Sequence, residues 1–404
     1  MPISFTNWTR TLSCALATAA LAACSEEETP PPTEKPATPT SVATPDIDAA
    51  DVIASDELGG FEGPVAGVAF WNHPRLPFQG LLLVAADNKL TAYNIEDGVA
   101  VSALDGFETT GLALDYQGVG ATARAIGAGF DVSENQFRFF SVADDTRQLQ
   151  IRPSLMVAPS VVDGFCLGRT EDSDTLSLHV LSGDAIVSHA LAVADAGVSV
   201  SQSSRRDGPE AFAACAVDSL DGAVFAVGAS GDIYRYTNDA AQPPAPFAST
   251  GARQPAAAAV IFNGLVEGGS TDDCCGQIAV LDGDTGVVSV VDRDDGHALG
   301  RIAIAASYDV EAVTSASAMG LGAGNFGGAY RNGVLAIATG DAGDGSRADV
   351  LRLAPWSGVL NALQQPVSQT SAARDLAPQS GGETANSDAL TDALPPLDLE
   401  PLQQ

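Results

Sequence analysis

Gly276-Gln-Ile-Ala-Val-Leu-Asp-Gly-Asp-Thr-Gly-Val-Val-Ser-Val-Val-Asp-Arg-Asp-Asp-Gly296 reads as two short apolar runs joined by a turn of Asp and Gly. Runs this short, rich in Val and Ile and bounded by turn residues, suit strands. Gly and Asp also accept the positive φ angles of a tight hairpin. Five further units have the same form: 80–98 (GLLLVAADNKLTAYNIEDG), 124–145 (RAIGAGFDVSENQFRFFSVADD), 175–193 (TLSLHVLSGDAIVSHALAV), 223–239 (AVFAVGASGDIYRYTND) and 333–356 (GVLAIATGDAGDGSRADVLRLAPW). They recur about every 40–60 residues, the repeat length of four-stranded propeller blades. Each unit is the legible half of one blade, the outer strands being harder to see, and long amphipathic helical stretches are missing. The fold class is all-β, a six-bladed β-propeller.

The ends of the chain are of another kind. Residues 1–23 read as a lipoprotein signal peptide, with Arg10 as the positive charge, Leu12 to Ala20 as the apolar core, and Leu21-Ala22-Ala23-Cys24 as a lipobox. The plainer alternative is an ordinary secretory signal with a chance cysteine. The acidic, Pro-rich tether at 24–45 that follows favours the lipobox, because such a segment buries too little apolar surface to fold. The expectation is a lipid on Cys24 and attachment to the membrane of the cell envelope. Ser25 after the cysteine favours the outer membrane. Residues 46–363 form the propeller, and 364–404, rich in Ala, Ser, Gln, Pro and Asp without periodicity, read as a disordered tail.

Loss of residues 1–23 removes Arg10 from the 19 basic side chains and none of the 51 acidic ones, leaving 18 against 51, or −33. The only lysines are Lys35 and Lys89. Such a surface repels nucleic acid and free polyphosphates, and cations are its natural small partners. The plainer reading of the charge is solubility.

Four cysteines besides Cys24 remain after residue 23. Cys166 and Cys215 lie in apolar, strand-like stretches and are either partners across neighbouring blades or two buried thiols. Cys274 and Cys275 are adjacent in a polar loop, and sequence alone does not assign the pairing. His73, His179, His189 and His297 are scattered, and no Cys/His spacing points to zinc. The short acidic stretches Asp282-Gly-Asp284, Asp292-Arg-Asp-Asp-Gly296 and Asp341-Ala-Gly-Asp-Gly345 lack the spacing of a calcium loop and read first as turns. No Gly-rich phosphate loop precedes a helix, and no GxSxG elbow occurs.

Several stretches resemble, in order, the β-propeller phytases, six-bladed calcium-dependent phosphatases that act on phytate. Ala66-Gly-Val-Ala-Phe-Trp-Asn-His-Pro74 is similar to the family's DDPAIWVHP, and Asp163-Gly-Phe-Cys-Leu-Gly-Arg169 to YGLCMYR. Ala213-Ala-Cys-Ala-Val-Asp218 is similar to EGCVVDD, and Val224 to Tyr236 to LYVGEEDVGIWRY. Gly276 to Arg293 is similar to GYLIVSSQGDNTFAVYDR, Asp309 to Ser315 to DGIAVTS, and Leu351-Arg-Leu-Ala-Pro-Trp356 to FKLVPW.

The resemblance implies a site of several Ca²⁺ ions held by carboxylates, which neutralise phosphate and activate water. At the matching positions this chain has Ala66, Gly67, Ala213, Gly228, Ala229 and Ala257. Phe107 stands for a substrate-binding arginine and Gly168 for a tyrosine. Asp309, at a calcium-ligand position, and Lys89, at a substrate-phosphate position, are what the resemblance leaves. A shift of two residues would bring Glu108, Glu210 or Asp232 into use. The expectation is therefore a binding or scaffold module with no catalytic residue, facing an envelope protein or a glycan, with no nucleic acid. The alternative is a divergent calcium-dependent phytase.

Overall fold

The computed structural model describes residues 49–364 apart from 119–122, 155, 157, 170–174, 238–243, 263–275, 308–309 and 341–349. The described strands form six sheets. Four are meanders of consecutive chain. Blade 1 is Gly67–Trp71, Leu81–Ala86, Lys89–Asn94 and Ala100–Asp105, and blade 2 is Ala113–Gln117, Arg124–Asp131, Gln136–Val142 and Leu149–Arg152. Blade 3 is Gly164–Arg169, Leu176–Ser182, Ala185–Ala194 and Gly197–Asp207, and blade 4 is Phe212–Val217, Val224–Gly228, Asp232–Tyr236 and Ala245–Ser249.

The last two blades are completed by the N-terminal segment. Blade 5 has Pro255–Phe262, Gly276–Asp282, Val288–Asp292 and Ala298–Ala305, and Ala50–Ile53 adds a fifth strand parallel to the last of these, with Ala50 opposite Ile302. Blade 6 has Ala316–Gly322, Val334–Thr339 and Leu351–Pro355, and takes Asp56–Leu58 as its outer strand, antiparallel to Leu351–Pro355. The innermost strands touch in succession, and that of blade 6 meets that of blade 1, closing the ring. The molecule is a six-bladed β-propeller.

The six units read from the sequence are the second and third strands of each blade. These strands are covered on both faces by the neighbouring blades, so every position of Gly276–Asp282 and Val334–Thr339 is buried and the alternation of a one-sided strand disappears. In blade 1 the hairpin turns through Asp87 and Asn88, at φ 55° and 58°, the left-handed pair that a two-residue turn requires.

Closure depends on polar contacts as well as on pairing. The Ser55 amide donates to the Leu353 carbonyl at 2.8 Å, and the Tyr330 hydroxyl donates to Asp56. Buried Arg352 pairs with Glu57 at 2.8 Å and donates through Nε to the Glu311 carbonyl at 3.2 Å. Besides two three-residue 3-10 turns, Pro77–Gln79 and Gly328–Tyr330, the described residues depart from the all-strand reading at Trp356–Gln364, an α-helix packed on Ala50–Ile53 and Ala298–Ala305 with Trp356 and Val359 buried. Trp356, Val359, Leu360 and Leu363 have the i, i+3, i+4, i+7 spacing of one helix face.

Cys166 and Cys215 form a disulfide between the innermost strands of blades 3 and 4, with Cα atoms 5.7 Å apart. Of the two arrangements open from sequence, this is the cross-blade pair. Gln364, read as the first residue of the tail, closes the helix Trp356–Gln364; Cys24, Cys274, Cys275, Asp309, the Asp341–Gly345 loop, the regions read as signal peptide and tether, and the rest of the tail lie outside the described residues.

Candidate functional site

The loop leading into each innermost strand and the turn between second and third strands lie at the same end of the ring. Phe107 N–H donates to Asn88, Phe212 N–H to Gly183, Ala229 N–H to Ala211, and Gly283 N–H to Gln254. This mouth end carries Glu62, Asp87, Glu108, Asp131, Asp163, Asp184, Glu210, Asp282 and Asp284. Its basic side chains are mostly in ion pairs. Lys89 meets Asp105 at 3.6 Å, Arg138 meets Asp131 at 2.6 Å, and Arg205 meets Asp207 at 2.9 Å and Asp184 at 3.9 Å.

Many of these carboxylates hold their own turns. Asp131 accepts from the Ser133 hydroxyl at 2.7 Å and the Glu134 amide at 3.1 Å. Burial opposes ionisation there, but these donors and Arg138 outweigh it and hold the carboxyl below its usual range. Asp282 accepts from the amides of Arg253 at 3.0 Å and Asp284 at 3.1 Å. Asp163 takes the Gly183 amide at 2.7 Å on one oxygen.

A channel of about 460 Å³ runs along the axis from this end. Each innermost strand is hydrogen-bonded on one side only, so its other edge, with alternate N–H and C=O groups, faces the axis. Many of the lining residues are small, Gly67, Ala69, Ala113, Ala213, Ala257 and Ala259 among them, beside larger apolar ones such as Leu112, Phe165 and Met319, and Asp163 is the one charged residue in the described wall.

The positions matched to the calcium-binding carboxylates divide into two kinds. Ala66, Gly67, Ala213 and Ala257 stand in the channel wall. A Cβ on Gly67 would lie 2.6 Å from the Leu112 amide nitrogen, and one on Gly168 would lie 2.2 Å from Val217 Cγ1. Gly228 is covered by Glu210, whose Cδ would be 2.3 Å from its Cβ. Phe107 is buried edge-on against Phe140, with ring centres 5.7 Å apart. A carboxylate at 67 has no room against the Leu112 backbone, the space beside Gly228 is taken by the Glu210 carboxylate, and the residues described at these positions do not fit a multi-calcium cage.

Glu210 itself is engaged. It accepts from the Ser230 amide at 3.0 Å, the Ser230 hydroxyl at 2.7 Å and the Tyr234 hydroxyl at 3.0 Å. Burial first, then this bond, pushes the Tyr234 hydroxyl up to about 12. Lys89 is paired with the outer strand of its own blade, Glu108 is exposed, and Asp232 begins the third strand of blade 4. Asp309 is not placed.

At the opposite end, Asp292, Asp295 and His297 bring ligand-type atoms within 4.8 Å of one another, which the sequence reading had as a turn. Asp292 accepts the amides of Asp294 and Asp295 at 2.8 and 3.3 Å, and Asp295 pairs with His297 at 2.6 Å. These are turn contacts. The other histidines serve structure: His73 Nδ1 accepts the Arg75 and Leu76 amides at 3.2 Å, and His179 and His189 each pair with a serine at 2.8 Å.

No family model and no curated protein matches the sequence. Among solved structures, the chain is similar to the β-propeller domain of Myceliophteria thermophila Cps50 (Swd1), with 12% identity and a TM-score of 0.41, covering 74% of this chain and 85% of that one.

Proposed function

We propose that this chain is a phytase-like propeller that has kept the scaffold without the phosphatase site. In this reading it acts as a binding module at the cell envelope, lipid-anchored through Cys24 and presenting the mouth end to an envelope protein or a glycan. The stretches similar to the phytases support the first part, since they fall on or just before the innermost strands of blades 1, 3, 4 and 6, besides the central hairpins of blades 4 and 5 and the third strand of blade 6. The observation that carries the absence of the phosphatase site is steric: Gly67, at a matched carboxylate position, is closed over by the Leu112 backbone. Rigid loops gathered from six blades on one face suit recognition.

A second reading, a divergent calcium-dependent phytase, draws on Glu210, whose carboxylate lies where a side chain on Gly228 would be. Against it, Glu210 already accepts three hydrogen bonds. Phosphate release from phytate at pH 7, with millimolar Ca²⁺ and again with EDTA, separates the two. The binding reading expects no release in either condition. Calcium-dependent release would establish the phytase and give Asp309 and Glu210 metal-binding roles.

A further inference from the structure

The channel and its mouth present two kinds of group in series. Six strand edges line the bore with backbone C=O and N–H groups between alanines, glycines and larger apolar residues such as Leu112, Phe165 and Met319, and the described wall has no fixed positive charge. Asp163 stands in that wall, exposed and holding the Gly183 amide on one oxygen. Around it the mouth is acidic, and Lys89, Arg138 and Arg205 are held in ion pairs with its aspartates or those beside it.

Three ligand classes fail this arrangement. Anions meet a negative mouth. Hydrated divalent cations find a single carboxylate in the wall, where calcium wants six to eight oxygens at short range. Purely apolar ligands answer neither the strand-edge carbonyls nor the acidic mouth. A flexible chain of methylenes interrupted by ammonium groups answers the acidic mouth, the carbonyls and the small apolar side chains together: its N–H groups donate to carbonyl edges and to Asp163, its methylenes lie against Ala69, Ala213 and Ala257, and the strand-edge N–H groups are left to water. The volume, about 460 Å³, lies in the range of small-molecule sites, about 300–1,000 Å³.

We infer that the channel binds a linear alkyl polyamine, with one ammonium at Asp163 and the chain running along the axis. This rests on the reading of the propeller as a binding module, and its readout is independent of phosphate release, so either can fail alone.

The test is calorimetric titration of the full chain with spermine in 0.15 M NaCl, where diffuse surface attraction is largely screened. One saturable site is expected. Ala256→Phe places a ring at an exposed position of the channel wall outside the core clusters and is expected to weaken binding more than tenfold with an unchanged melting temperature. Ser317→Phe, on the neighbouring blade, serves if that variant does not fold. Asp163→Asn is expected to weaken binding about threefold, as for one exposed ion pair. Heat that never saturates, or a site unaffected by a folded channel-filling variant, overturns the inference and assigns the binding to the acidic surface.

Discussion

The seam between blades 3 and 4 and the seam between blades 5 and 6 hold neighbouring sheets together by different means. The first contains Cys166, Leu181, Ile186, Phe212, Cys215 and Tyr236, with the disulfide near the axis. Buried His179 stands opposite Cys166 in the strand register. The second is aliphatic, with Leu281, Ile302, Ile304, Leu335 and Ile337 around Trp356, and is gripped at the rim by the two N-terminal strands and the C-terminal helix. Where apolar packing is extensive, chain segments added at the edge suffice. Where polar and sulfur groups interrupt it, a covalent link stands beside the packing.

The sharpest way to break the second seam is to remove residues 49–58, which takes the outer strand from blade 6 and the fifth from blade 5. We expect loss of the cooperative thermal transition, followed by circular dichroism. Trp356→Ala leaves all strands in place but empties the seam, and is expected to cost about 3–5 kcal/mol in denaturant unfolding. For the first seam, Cys166→Ala with Cys215→Ala opens a link between residues separated by 49 in sequence and is expected to cost about 3–4 kcal/mol. If the double variant is as stable as the parent, packing alone holds that seam.

A smaller effect comes from His179. Burial, with His189 nearby, lowers its pKa to about 4 from an ordinary 6.5. Between those values the unfolded chain holds the extra proton, so stability falls as pH drops from about 6.5 towards 4, by on the order of 2–3 kcal/mol. Chemical denaturation at a series of pH values should show this slope, and His179→Gln should flatten it. Least of all, Lys89→Ala should change stability by less than about 0.5 kcal/mol, because its partner Asp105 is exposed.

How legible a strand was depended on where its faces point. Leu81–Ala86 and Gly276–Asp282 lie between two sheets, so the sequence writes them as unbroken apolar runs. Gly197–Asp207, an outer strand of eleven residues, is exposed along most of its length and is written largely in Ser, Gln and Arg, so no apolar run marks it. Pro255–Phe262 is harder still: its four consecutive alanines favour a helix in isolation, and only the ring makes it a strand. The N-terminal strands are four and three residues long, and nothing local marks segments whose pairing partners lie about 250–300 residues away. At the candidate site, the alanines and glycines at the positions matched to carboxylates are read directly from the sequence. The closure of Gly67 by Leu112 and the replacement of a Gly228 side chain by Glu210 are not, because they are contacts between segments distant in the chain or in conformation.

The helix Trp356–Gln364 lies directly against the strand Ala50–Ile53, so the described residues begin and finish side by side on one rim. In a closed ring the position of the break is then a matter of gene order. A circularly permuted gene that joined these ends and opened in an exposed turn, such as Glu96–Gly98, would keep every sheet pairing intact. The ends of such a protein would emerge at blade 1, which would let a fused partner or surface attachment be moved around the circumference while the mouth keeps its shape.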